Sequence, residues 1–193
     1  MHPPLITHIR KFVSLTDEEA TLLSSKLTQL KLRKKAFVLT PGKRCTANYF
    51  VVKGCMRLYF ITDKDVEQIT QFGIEDWWIT DYDSLDRQQP SHFYIQAVED
   101  CEVMVLDQKV QEELFKQIPV LERYFRLILQ KAYTAAQRRM EYIFTMTEEE
   151  RYRSFSTRFP AFNQRVPQYM VASYLGVTPQ FISRVRAKKA RIS

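Results

Sequence analysis

The stretch RVPQYMVASYLGVTPQFISRVRAKK, residues 165–189, reads as two short helices joined by a tight turn. The first, predicted over about Gln168–Leu175, puts Val171, Ala172 and Leu175 on one apolar stripe. Gly176 stands where the chain must turn sharply and where a Cβ is costly. Thr178 suits the N-cap of the second helix and Pro179 its first position. That helix offers Ile182 and Val185 to the interior, and Val177 fills the corner. Counted from Gln168, the small residue is fifth, the glycine ninth, and the apolar residues fourth, eighth, tenth, fifteenth and eighteenth. That spacing predicts a helix-turn-helix. Small Ala172 lets the helices cross closely, and the apolar positions fix the crossing.

The charge around this motif is one-sided. The chain of 193 residues carries a formal net charge of +7. Residues 1–118 hold 15 Lys/Arg against 17 Asp/Glu, whereas residues 119–193 hold 14 against 5. From Arg151 to Ser193 there are nine basic residues and no acidic one. Solvated faces usually mix signs, so a basic module of this kind points to double-stranded DNA as partner. In that reading the N-terminal half of the second helix enters a major groove. Gln180, Ser183 and Arg184 reach base edges, glutamine suiting adenine and arginine guanine. Arg186, Lys188, Lys189 and Arg191 neutralise phosphates, and Gln168 and Thr178 meet phosphates at the helix N-termini. Phe181 either touches a thymine methyl or packs beneath its helix.

Upstream, the hydrophobic period changes twice. Thr16-Asp17-Glu18-Glu19 is a capping box opening a helix with Leu22, Leu23 and Leu27 at helical spacing. Beyond Lys31–Lys35 come short runs rich in Val, Ile, Tyr and Phe: 36–39, 48–52, 55–62, 66–72, 92–98 and 101–106. Pro41-Gly42, Lys53-Gly54, Asp63-Lys64-Asp65 and Glu99-Asp100 punctuate them. Strands this short and this frequent predict a jelly-roll-like β-sandwich or barrel. Helical spacing returns from about Gln108, breaks near Pro119, and resumes over Leu121–Phe144, a segment about 36 Å long. Along it Leu121, Ile128 and Ala135 are seven apart, with Phe125 and Ala132 interleaved. Two readings remain open for this helix: it packs on its own domain, or it pairs with a second copy. The domains are then 1–118 for the β domain, 119–145 for the long helix and 146–193 for the basic module.

Other chemistries find little support. Hydrophobic residues are 45% and charged residues 26%, the balance of a globular protein with a core. No apolar run approaches the ~18 residues of a membrane helix. Four glycines cannot build a Gly-rich phosphate loop. Cys45, Cys55 and Cys101 have no C-x-x-C pair, which fits a reducing cytoplasm, and His2, His8 and His92 make no metal-ligand spacing. Neither a metal, a cofactor nor catalysis is expected.

The order of elements, with Leu39-Thr40-Pro41-Gly42, Tyr49-Phe50-Val51-Val52-Lys53-Gly54 and Val166 to Lys189, resembles the Crp/Fnr family of bacterial transcription regulators. The resemblance covers essentially the whole chain. It implies an α+β fold: an N-terminal double-stranded β-helix or jelly-roll sensor domain like a cyclic-nucleotide-binding domain, a long dimerisation helix, and a C-terminal helix-turn-helix. It implies a homodimer, with Leu121, Phe125, Ile128, Ala132 and Ala135 as the seam, reading a near-palindromic site, and RNA polymerase as a further partner. Nucleotide-binding members carry Gly-Glu-Leu followed by Arg-Ser or Arg-Thr. Here Ile79 and Thr80 fall in the Gly-Glu slots, Pro90 replaces the arginine, and Ser91 alone survives. Losing the arginine removes a charge-assisted phosphate contact, so tight cyclic AMP binding is not expected. Trp77, Trp78, Thr80, Asp81, Tyr82 and Ser91 either line a pocket for a different small-molecule effector or are core. The alternative to a DNA-binding regulator is an effector-sensing module that acts through a protein partner, with weak or no specific DNA binding.

Overall fold

The structure, a computed structural model, describes residues 4–190, except for the side chains of Asn163 and residues 188–190. Among the described residues two short helices, α1 (Pro4–Arg10) and α2 (Asp17–Lys26), lead into eight strands. Thr16 and Glu19 form the expected capping box, each side chain bonded to the other's backbone amide, so α2 begins where the sequence signal places it. It ends sooner than its leucine spacing suggests, because Thr28–Leu32 leaves as strand β1.

The strands are β1, β2 (Phe37–Leu39), β3 (Ala47–Lys53), β4 (Met56–Ile61), β5 (Glu67–Gly73), β6 (Trp78–Ile79), β7 (Tyr94–Ala97) and β8 (Cys101–Asp107), with α3 (Tyr82–Arg87) between β6 and β7. They form two four-stranded sheets in the orders β1-β8-β3-β6 and β2-β7-β4-β5. Antiparallel register sets Phe50 opposite Met104 in one sheet and Leu58 opposite Ile95 in the other. Strand β3 is buried at five consecutive positions, because both its faces are covered. Tyr49 and Val51 look into the sandwich with Leu39, Met56, Leu58, Ile95 and Val103. Phe50 looks out into a second core with α1, α2 and α4 (Gln108–Gln117).

At the turn after β3, Gly54 has φ +101°, and a Cβ there would lie 2.6 Å from Cys101 Sγ and 2.7 Å from the Asp100 carbonyl. Only glycine fits that approach. Cys45, Cys55 and Cys101 are all buried thiols.

Helix α5 (Val120–Thr145) is continuous over its 26 residues, about 39 Å. Its first turns correct the expected seam. Leu121 is 1% exposed, and Phe125 and Ile128 pack against the same core, so these three are spent on their own domain. Ala132 and Ala135 are exposed. The row left uncovered farther along is different: Tyr133, Ala136, Met140 and Ile143, with Phe144 beside them. The spacing in the sequence serves two faces, and the apolar residues of the first two turns went to the nearer core.

The chain divides into two compact units: residues up to Phe60 with Thr70–Gln130, and Ile61–Ile69 with residues from Lys131 onward. The second unit holds the rest of α5, α6 (Glu148–Arg158), α7 (Phe162–Arg165), α8 (Gln168–Leu175) and α9 (Pro179–Ala190). Its small core gathers Tyr152, Phe155, Phe162, Val166, Val171, Ala172, Leu175 and Ile182. A second capping box, Thr147 with Glu150, starts α6.

Candidate nucleic-acid interface

The turn between α8 and α9 is built as its sequence predicts. Gly176 adopts φ +67°, ψ +38°, and the Val177 N–H donates to the Ala172 carbonyl at 3.0 Å, closing the end of α8. A Cβ at Gly176 would meet nothing within 4 Å, so glycine is favoured there by backbone conformation alone. Thr178 Oγ1 accepts the Phe181 N–H at 3.2 Å, capping α9. Ile182 turns fully inward at 1% exposure. Val185, expected inside with it, is only half-buried, as are Val177 and Phe181, because α9 is covered on one side.

The opposite side of α9 is open. Thr178, Gln180, Ser183, Arg184 and Arg186 are all exposed. Gln180 and Arg184, four apart, project from one face, where two adjacent base edges can be met together. Ser183 donates its hydroxyl to the Pro179 carbonyl at 3.1 Å, so its own helix holds the proton that base readout was expected to use. Among the described residues Arg184 and Arg186 have no acidic partner. Gln168 is half-buried and its side-chain Nε2 is buried without a hydrogen-bond partner, whereas the phosphate contact expected here belongs to the backbone amides at the start of α8. Beside it Tyr169 is exposed in the first turn of α8, a position that no local sequence pattern marks. The side chains of Lys188 and Lys189, and all of Arg191, lie outside the described residues.

Within the same unit α8 is fastened by side chains that carry no sequence signature. Ser173 Oγ donates to the Glu67 carbonyl at 2.6 Å and accepts the Ile69 N–H at 2.9 Å. Gln68 Nε2 donates to the Ser173 carbonyl at 2.6 Å. Arg139 donates to the Ile69 and Tyr174 carbonyls at 3.1 and 2.8 Å, with its guanidinium 4.2 Å from the Tyr174 ring centroid. Burial lowers the pKa of Arg139, with Tyr174 opposing the shift, and burial raises that of Tyr174, with Arg139 opposing it.

In the β domain the expected effector residues do not surround one cavity. Trp77 and Tyr82 are exposed. Trp78 is core, its Nε1–H donating to the Tyr124 hydroxyl at 2.8 Å, and that hydroxyl lies 2.9 Å from His8 Nδ1. Burial pushes the Tyr124 phenol well above its usual range. Thr80 donates to the Ala47 carbonyl at 2.9 Å. Asp81 is 4% exposed and caps α3, accepting the Asp83 and Ser84 N–H groups at 3.1 and 3.3 Å on Oδ1. Its Oδ2 accepts the Ser91 hydroxyl at 2.6 Å. Alternation marks burial but says nothing of whether a buried polar group serves a ligand or a neighbour.

Residues 29–118 match the cyclic nucleotide-binding domain family. No curated protein matches the sequence. Among solved structures, FixK2 from Bradyrhizobium japonicum is similar at TM-score 0.69 and 18% identity, with 84% of this chain and 83% of that chain covered. CLP of Xanthomonas campestris, described as a c-di-GMP-responsive global regulator, is similar at TM-score 0.71 and 13% identity, covering 91% and 92%. A Eubacterium rectale protein described as a putative transcriptional regulator of the Crp/Fnr family reaches TM-score 0.70 at 16% identity, covering 92% and 85%. This chain has the Crp/Fnr fold. Both parts expected of the Crp/Fnr fold are present, a jelly-roll β domain and a long helix leading to C-terminal helices.

The family that residues 29–118 match is named for a cyclic nucleotide, whose phosphodiester is an anion. The residues present do not fit one. The amides at the start of α3 and the Ser91 hydroxyl converge on the carboxylate of Asp81, and Pro90 beside them has no N–H to give. Among the described residues no helix is long and apolar enough to cross a membrane, and no group of three or more His, Cys, Asp or Glu is placed to hold a metal ion.

Proposed function

We propose that this chain is a DNA-binding transcription regulator of the Crp/Fnr type that reads a near-palindromic site as a homodimer and is not controlled by cyclic AMP. The observation that carries the reading is the exposed row on α9, Gln180 and Arg184 with Arg186 beyond them, set after a left-handed glycine turn in a segment with no carboxylate. Arg184 supplies base choice, and Arg186 with Lys188, Lys189 and Arg191 supplies attraction to phosphates. Thr178 contributes through the start of its helix. The uncovered row Tyr133, Ala136, Met140 and Ile143 on α5 supports pairing with a second copy, since its alternating spacings of four and three make a coiled-coil seam. Action on a promoter makes RNA polymerase a further partner and the cytoplasm the place of work.

Selecting sites from random duplex DNA with the purified protein tests this directly. A two-fold-symmetric consensus is expected, with affinity falling steeply as salt rises. Lys188→Ala should weaken all duplexes alike. Absence of any enriched sequence would overturn the reading and leave the effector-sensing module acting through a protein partner.

A further inference from the structure

We infer that the Asp81 carboxylate is a built-in substitute for a ligand phosphate, so that the β domain is closed to anionic ligands by its own chain. This deepens the part of the proposed function that sets cyclic AMP aside, and it does not depend on DNA binding. Three donors meet the carboxylate: the backbone amides of Asp83 and Ser84 and the hydroxyl of Ser91. Among the described residues no cation pairs with it. A buried carboxylate without a counter-charge persists only where hydrogen bonds replace its hydration, and amides at a helix start are suited to an anion.

The seat is held from several sides, which separates it from an ordinary helix cap. Ser91 is fixed by its own backbone, accepting the Gly42 N–H at 2.9 Å and donating to the Lys43 carbonyl at 2.8 Å. Its Oγ also accepts the Phe93 N–H at 2.9 Å, leaving its proton for Asp81. Ser84, whose amide contacts Asp81, donates its hydroxyl to the Gln89 carbonyl at 2.6 Å and accepts the Cys45 N–H at 2.9 Å. The loop before β3, helix α3 and the segment leading to β7 are therefore tied around one negative charge. A phosphate brought to these donors would meet that charge at contact distance in a poorly solvated place, where like charges repel strongly.

The test compares the full-length protein with Asp81→Ala, Asp81→Ser and Asp81→Asn, by thermal melting and calorimetric titration. The probes are inorganic phosphate, cyclic AMP and cyclic GMP at millimolar concentration, with chloride at matched ionic strength as control. The wild type is expected to show no binding heat and no change in midpoint with any probe. Asp81→Ala should melt lower and regain several degrees with phosphate or a cyclic nucleotide but not with chloride, because an anion then stabilises by occupying the vacated donors. Asp81→Ser keeps a competent cap for α3 and serves where the alanine variant does not fold; it should show the same gain. Asp81→Asn fills the seat without charge and should gain nothing. Micromolar binding of a cyclic nucleotide to the wild type would overturn the inference. So would alanine and serine variants that lose stability with no anion response, which would make Asp81 a helix cap only.

Discussion

Two helix starts in this molecule answer the same physical demand in opposite ways. At α3 the first amides are met by a buried carboxylate of the chain itself, and a hydroxyl from a distant loop completes the set. At α9 a neutral threonine hydroxyl covers one amide, and the side chains that follow, Gln180 and Arg184, stand in solvent. The first arrangement is complete without a partner. The second presents donors that nothing among the described residues of its own unit uses. An N-cap is thus structural or functional according to its burial and charge, and the sequence shows only that a capping residue is there.

The contrast within α9 can be broken in order of expected size. Ile182→Ala, on the covered side, should cost roughly 2–5 kcal/mol in a denaturant titration, because it empties a packed position. Gln180→Ala, on the open side, should leave stability within about 0.5 kcal/mol while weakening the selected DNA site. Next comes Arg184→Ala, for which competition binding on matched and mismatched duplexes should show about 1–3 kcal/mol of lost base discrimination. If it weakens all sequences equally, the open side of α9 is a phosphate contact and the contrast with α3 loses its point.

Smaller effects sharpen the same comparison at the ends of helices. Gly176→Ala forces a Cβ into a left-handed conformation and should lower stability by about 1–2 kcal/mol, with no clash to relieve. Thr147→Ala should cost about 1 kcal/mol through the loss of the α6 cap. Its partner Glu150 is held below the usual glutamate range by hydrogen bonds from the Thr147 backbone and hydroxyl. A lowered carboxyl pKa stabilises above the unfolded value, and that contribution is lost as pH falls through the folded one. Glu150→Gln should therefore reduce stability slightly at neutral pH, and its curve should converge with the wild type in acid.

Much of this architecture was legible because its signals are local. Thr16 with Glu19, Gly176, and Thr178 with Pro179 each fix a boundary through a few neighbouring residues, and each boundary is found where it was expected. Thr147 with Glu150 carries the same signature as the box at α2 and could have announced α6 by the same rule. Strand β1 was hidden by the leucine spacing before it, and two-residue β6 is too short to show a period. The long helix was legible as an element, while its spacing left its surface open between two readings. Leu121, Phe125 and Ile128 form a valid heptad row, and only packing could show that α1, α4 and Trp78 already use it. The role of Asp81 was out of reach for a similar reason, since its decisive partner Ser91 lies across an intervening helix and loop.

The three buried thiols have a practical consequence. Cys45, Cys55 and Cys101 all lie in the first unit, and the second contains no cysteine at all. A thiol-specific reagent added to the native protein therefore has nothing to react with until the β-sandwich opens. Its labelling rate becomes a clock for that opening alone, blind to whatever the C-terminal helices do.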